Sequence, residues 1–271
     1  VTDTGSSTDT GFSPERIDTG KPHSARMYDW FLDGKDHYAI DAEAAGKVME
    51  LFPGVKDTAW ANREFMHRAA RFVARQGVDQ FLDVGTGIPT EPNLHQVVQA
   101  VAPRARVVYA DNDPIVLRHA EALLHGTPEG RTTYLHADVR EPERIVEYAR
   151  EHLDLTRPVG LSLIALLPFV TDEQDPYGVV RTLLDPLPAG SHLLLSHGSG
   201  EFDPVVRERV EAVYRAGGTP VQARSHAAVT QFFDGLELCD PGVVPATSWH
   251  PEPGMRVQRE QPVYVGVARK S

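Results

Sequence analysis

A single cysteine, Cys239, is present in 271 residues. One thiol makes no internal bridge, so a disulfide-dense secreted scaffold is excluded and a reducing compartment is expected. Long apolar runs are also missing, and none approaches the ~18 residues that a membrane span needs. Cations are scarce, with 27 Lys and Arg against 38 Asp and Glu, for a formal charge of −11 at pH 7. That balance is poorly suited to neutralising a phosphate backbone, so nucleic acid is not an expected partner. Residues 1–13 carry neither the basic stretch nor the apolar core of a secretory signal. There is no His-Glu-x-x-His and no cysteine pair, and His192 and His197 find no third ligand at a recognised spacing, so no metal is expected. A Gly-x-Ser-x-Gly elbow at a strand–helix turn is absent as well; Ser196-His197-Gly198-Ser199-Gly200 is only superficially like one. These exclusions leave an acidic, soluble, cytoplasmic protein, 41% hydrophobic and long enough to bury a core without staples.

The pattern that is present changes along the chain. Residues 1–15 are too polar to repay the entropy of ordering and read as a disordered tail. Three helices follow within a cap spanning residues 16–78. Ser24 is the expected cap of the first, which carries Met27, Tyr28, Phe31 and Leu32, and Asp41 that of the second; the third carries Trp60 to Val73 and ends at Gly77. Residues 79–271 read as one ligand-binding domain that forms a single unit with the cap. Short apolar runs at Gln80–Val84, Arg106–Ala110, Thr132–Leu135, Val159–Leu167 and His192–Ser196 are strand candidates. They alternate with amphipathic stretches at Asn93–Val101, Pro114–Leu124, Pro142–His152 and Pro176–Leu184. Such alternation predicts a parallel sheet covered on both faces. Four helix starts repeat an acid followed by proline: Asp113-Pro114, Glu141-Pro142, Asp175-Pro176 and Asp203-Pro204. A helix from Pro204 to Ala216 and a shorter one capped by Ser225 come next. Leu236–Cys239 and Val263–Ala268, with no helix between them, predict an antiparallel strand pair that closes the sheet.

The chemistry concentrates in Phe81-Leu82-Asp83-Val84-Gly85-Thr86-Gly87-Ile88-Pro89-Thr90, a strand running into a Gly-x-Gly turn. Glycines here permit tight geometry and close approach of a ligand, and ligands of open α/β sheets bind outside the carboxyl ends of the strands. Asp111-Asn112-Asp113 ends the second strand, 28 residues after Asp83, where an acid is suited to a ribose diol. Ala137-Asp138-Val139 follows the third. Asp113, before Pro114, reads as a helix cap, whereas Asp83 at an apolar strand end needs partners. A dinucleotide would need free N–H groups for its pyrophosphate. The position of the third glycine is Thr90, Pro89 and Pro92 have removed two donors, and Asp83 and Glu91 would repel phosphate. A cationic nucleoside without phosphates suits the loop better, and S-adenosylmethionine is such a ligand.

Pro22-His23-x-Ala25-Arg26-x-Tyr28-Asp29, Gly34-Lys35-Asp36, the Gly85-x-Gly87 segment and Val107-Val108-Tyr109-Ala110-Asp111-Asn112-Asp113-Pro114 resemble the actinobacterial S-adenosyl methyltransferase family. The likeness continues through Leu195-Ser196-His197, Phe232-Phe233-Asp234-Gly235 and Val265-Gly266-Val267-Ala268-Arg269. It implies a class I, Rossmann-like fold of seven strands and methyl transfer from S-adenosylmethionine, which leaves as S-adenosylhomocysteine. It also implies Asp83, Gly85, Thr86 and Gly87 around the methionine portion, Asp111 at the ribose, and Asp138 with Val139 at the adenine, with Asn112 also among the cofactor-binding residues. One departure is Pro168-Phe169-Val170, where a His is expected before Phe-Val. The expected acceptor is a small molecule. Candidate bases are His197, Asp172, Glu173, Tyr28, Asp29 and His37, with His197 preferred for its neutral-pH titration. Tyr28, Asp29, Phe169 and His197 are the expected substrate-pocket residues, and Trp30 and Phe31 are read as cap packing. Two alternatives are a regulatory protein that binds the cofactor without turnover and, disfavoured by the loop, a nicotinamide-dependent oxidoreductase.

Overall fold

The computed structural model describes residues 18–116, 126–201 and 203–271. The expected tail at residues 1–15 lies outside them, as does most of the helix expected from Pro114 to Leu124, of which residues 114–116 are helical. The first helix, α1 (Ser24–Phe31), is capped by His23 rather than Ser24: the His23 imidazole Nδ1 accepts from the Ala25 amide at 3.3 Å. The second, α2 (Ala39–Leu51), begins before Asp41, so Asp41 belongs to its first turn. There its carboxylate accepts from the Tyr38 and His23 amides, each at 2.8 Å. In α3 (Val55–Arg75) the chain reverses after Gly77, whose φ of +89° is open to glycine at no steric cost.

Five strands run parallel: β1 (Gln80–Val84), β2 (Arg106–Asp111), β3 (Arg131–His136), β4 (Gly160–Leu163) and β5 (His192–Gly198). Three more complete the sheet: β6 (Glu237–Leu238), β7 (Val244–Pro245) and β8 (Val263–Arg269). Strand β8 lies antiparallel to β5 and to β6, giving the order β3-β2-β1-β4-β5-β8-β6, with β7 also paired to β8. This is the expected mostly parallel sheet with an antiparallel C-terminal end, and β7 adds an eighth strand to the expected seven. Because β2 and β3 lie on one side of β1 while β4 and β5 lie on the other, the switch point falls at the carboxyl ends of β1 and β4.

The fourth strand is shorter than its apolar run. At Ala165 the backbone takes φ +54° and the amide donates to Ser196 Oγ at 2.8 Å, so the chain leaves the sheet before a 3₁₀ turn at Leu167–Phe169. Helices α4 (Leu94–Gln99), α5 (Pro142–His152), α6 (Pro176–Leu184), α7 (Pro204–Ala216) and α8 (His226–Thr230) follow the expected alternation. Asp113, Asp175 and Asp203 accept from the amides of Ile115, Gly178 and both Val205 and Val206, so three acid–proline pairs cap as expected. Glu141 makes no such bond; its longer side chain pairs with Arg144 at 3.3 Å instead.

Both faces of the sheet are covered. On one face Ile145 of α5 and Leu183 of α6 pack on Leu161 and Leu195; on the other, Phe65, Ala69 and Val73 of α3 pack on Phe81, Val107 and Val265. The Pro/Gly-rich stretch before β8 is anchored by Trp249, fully buried edge-on against Phe65 and Phe72. Arg68 fixes its backbone, donating to the Trp249 and Ala246 carbonyls at 2.9 and 2.6 Å. Helices α1 and α2 form a separate cluster through Met27, Phe31 and Val48, with Val210, Val213 and Tyr214 of α7 against it. Trp30 and Phe31 meet edge-to-face there. Among the described residues no helix is long and apolar enough to cross a membrane.

Candidate functional site

At the switch point the carboxyl edge of the sheet opens into a cleft of about 250 Å³, roofed by α1 and α3 and by the segments after β4 and α7. Gly85 and Gly87 leave β1 with φ of +73° and +67°. A Cβ at Gly85 would collide with Leu166, while one at Gly87 would meet no atom within 4 Å. The first glycine therefore serves packing and the second keeps bare backbone on the cleft. Four of the loop's amides are already engaged. Gly85 and Thr86 donate to the Ala110 carbonyl at 2.8 and 3.4 Å, Gly87 donates to Asp111 Oδ2 at 2.8 Å, and Thr90 to Asn93 Oδ1 at 3.0 Å.

Three acids follow one another along the edge. Asp83 pairs in register with Ser162 of β4, whose hydroxyl donates to Asp83 Oδ1 at 2.6 Å. Burial pushes the Asp83 carboxyl up to about 6, against the Ser162 hydrogen bond and the nearby Arg63 charge. Asp111 accepts from the amides of Asp113 and Gly87, yet burial still raises its carboxyl above the ordinary range. Asp138 behaves oppositely. Burial works to raise it, but hydrogen bonds from Arg140 and Asn112 outweigh that and hold it down at about 2. Asn112 Nδ2 reaches Asp138 Oδ2 at 3.1 Å, linking the ends of β2 and β3.

All eight residues expected at the cofactor, Asp83, Gly85, Thr86, Gly87, Asp111, Asn112, Asp138 and Val139, line this one cleft. Tyr28 and Phe169 line it too, Phe169 standing edge-on to Tyr214 at 5.7 Å between ring centres. The Tyr28 hydroxyl donates to the Ala59 carbonyl at 3.0 Å and accepts from Asn62 at 2.8 Å, and burial raises its pKa, so it is no base. Asp29 does not reach the cleft. It is buried beneath Gly34, accepting from the Asp36 amide and from His37; a Cβ at Gly34 would run into its carboxylate. This packing accounts for the Gly34-Lys35-Asp36 motif and ties up His37 as well.

His197 is also absent from the cleft wall. Its Nδ1–H donates to the Gly198 carbonyl at 2.9 Å, and Nε2 accepts from Arg224 at 2.8 Å. Burial drives its pKa down to about 3, so it remains neutral and its basic nitrogen is occupied. Arg224 goes on to the Leu167 and Val170 carbonyls and to Asp172 at 2.7 Å, which fixes the segment carrying Phe169 from behind. Asp172 is thus a partner of Arg224 and not a free base, while Glu173 is exposed.

Several cleft residues escaped the sequence reading: His23, Asn62, Arg63, Met66, Arg140 and Tyr214. Asn62, Arg63 and Met66 share the inner face of α3, where polar side chains between Ala61 and Phe65 were the available signal. Asp113 does more than cap. Its Oδ2 faces Arg26 Nε at 3.1 Å, and this ion pair fastens α1 over the cleft.

The family model of S-adenosyl methyltransferases matches residues 10–271. The chain belongs to the S-adenosyl methyltransferase family. A DUF574 family protein from Streptomyces avermitilis is 48% identical, with a TM-score of 0.90, over 94% of this chain and 100% of that one. A methyltransferase candidate from Thermobifida fusca is 34% identical, with a TM-score of 0.86, over 96% and 99%. No curated protein matches the chain. As a member of the S-adenosyl methyltransferase family the protein is an enzyme that uses S-adenosylmethionine. The donor set fits that cofactor: an edge of buried carboxylates faces a ligand carrying a sulfonium and an ammonium, and the bare face of Gly87 leaves space against the backbone.

Proposed function

We propose that the acidic strand edge holds S-adenosylmethionine and that the methyl group passes to a small molecule entering between α1, α3 and the segment after β4. The observation that carries this reading is the engagement of the loop amides. Gly87 gives its N–H to Asp111 and Thr90 gives its own to Asn93, which leaves them no donor for a pyrophosphate. A nicotinamide dinucleotide therefore finds few of the donors it needs there, whereas a cationic nucleoside gains from Asp83.

Asp83, Gly85, Thr86 and Gly87 would hold the methionine portion, Asp111 and Asn112 the ribose, and Asp138 with Val139 the adenine. When bound, the cofactor supplies an electrophilic methyl on a positively charged sulfur. The protein's own contribution is chiefly positional, because in-line approach of a nucleophile needs little else. Tyr28, Met66, Phe169 and Tyr214 give the acceptor side an apolar, aromatic wall that excludes water. Among the described residues no free imidazole faces it, since the His23 Nδ1 accepts from the Ala25 amide and His197 is buried behind Arg224. Acceptors whose nucleophile is unprotonated near neutral pH are the class this wall serves.

Asp111→Ala is expected to weaken S-adenosylhomocysteine binding by about 1.5–3 kcal/mol, the usual worth of hydrogen bonds to a charged group. Isothermal titration of the variant, with thermal unfolding to confirm that it folds, checks this. An affinity equal to wild type would remove Asp111 from the ribose site.

A further inference from the structure

Among the described residues three basic side chains line the cleft, and two of them are already engaged: the His23 Nδ1 accepts from the Ala25 amide, and Arg140 Nε donates to Asp138 at 2.8 Å. Arg63 has no carboxylate within ion-pair distance among the described residues. One edge of its guanidinium is fixed, since Nη2 donates to the carbonyls of Thr90 and, at 3.1 Å, Pro92, with Asn93 Oδ1 at 3.4 Å. Its Nε is buried and has no hydrogen-bond partner. Burial lowers the Arg63 pKa, and the nearby Asp83, Tyr28 and Tyr109 act against that; a guanidinium still keeps its proton. Arg63 lines the cleft together with Asp83 and the glycine turn, so a held, positively charged group whose hydrogen-bonding capacity is not exhausted belongs to its wall.

A buried cation with no carboxylate at ion-pair distance is costly, and the cost is relieved by an anionic ligand group. The following rests on the cofactor reading above. S-adenosylmethionine carries one anionic group, the α-carboxylate of its methionine portion, and Asp83, Asp111 and Asp138 all repel it. We propose that Arg63 binds this carboxylate, so that the enzyme distinguishes amino-acid-bearing adenosyl sulfur compounds from those that have lost the carboxylate. In this arrangement Asp83 attracts the cationic end of the methionine portion and Arg63 the anionic end. The pair reads a zwitterion, and α3, which carries Arg63, becomes part of the cofactor site.

The test is a binding cycle without acceptor, so that an anionic acceptor cannot supply the carboxylate. Wild type and Arg63→Gln are titrated with S-adenosylmethionine, its decarboxylated analogue and 5′-methylthioadenosine. Wild type is expected to prefer S-adenosylmethionine over the decarboxylated analogue by roughly 10- to 100-fold, the range of a charge-assisted contact. In Arg63→Gln that preference should collapse to within about 3-fold, with 5′-methylthioadenosine binding unchanged. Arg63→Lys should recover part of the preference. Equal preference in wild type and variant overturns the proposal. So does an equal loss for all three ligands, which would mean that Arg63 only braces the loop at Thr90 and Pro92. Failure of wild type to bind any adenosyl ligand would instead sink the cofactor reading itself.

Discussion

Asp83 connects folding to ligand binding in a way that can be measured. Its carboxyl is buried at the end of β1 and raised from its ordinary 3.8 to about 6. Between those two values the native protein retains a proton that the unfolded chain has released. The group's contribution to stability is therefore fully present below pH 3.8 and is lost as pH rises through 6. The change corresponds to about 3 kcal/mol against the ionised form. Asp83→Asn keeps an oxygen to accept from Ser162 Oγ but cannot ionise. Urea unfolding of both proteins at intervals from pH 4 to pH 7.5 gives the difference in stability, in which other titrating groups cancel. That difference should move in favour of the variant by about 2.4 kcal/mol between pH 4 and pH 7. The same variant should bind S-adenosylmethionine at least about tenfold more weakly, because the charge that costs stability is the one that meets the cofactor's cationic end. A difference in stability that stays flat across this range would refute the reasoning.

The Arg224 network offers two further tests. The His197 ring, driven down to about 3 and held by Arg224 and the Gly198 carbonyl, should show no change in its NMR ring-carbon shifts between pH 5 and pH 8; a midpoint near 6.5 would contradict its burial. Arg224→Ala leaves the Leu167 and Val170 carbonyls unpartnered behind the cleft and should cost about 3 kcal/mol in urea unfolding, whereas a loss below about 1 kcal/mol would contradict the network.

What was legible in the sequence was what local rules govern. The strand ending at Val84, the acids at the ends of β1, β2 and β3, and the aspartate–proline helix starts each depend on residues within a few positions, and the structure repeats them. The run from Val159 to Leu167 was apolar for two reasons that a pattern does not separate: Leu161 and Leu163 fill the sheet, while Ile164 and Leu166 line the cleft. Strand β4 therefore ends sooner than its hydrophobicity suggests. Trp249 gave no periodic signal because it anchors an irregular stretch, and Arg68, 181 residues earlier, holds it. The site divides along the same line. Its acidic edge is built from strand ends and could be read, whereas Arg63 and Asn62 join it only because α3 packs across the sheet and turns one face to the cleft. His197 illustrates the opposite failure: its residue type suited a base, and only the fold shows Arg224 occupying its free nitrogen.

Isothermal titration of S-adenosylhomocysteine into the wild-type protein at pH 7.5, where Asp83, Asp111 and Asp138 face the ligand as one edge, is the most direct test. One-to-one binding that S-adenosylmethionine displaces and NADH does not is the predicted result. Absence of binding by the folded protein, or displacement by NADH, would contradict the assignment of this edge to the cofactor.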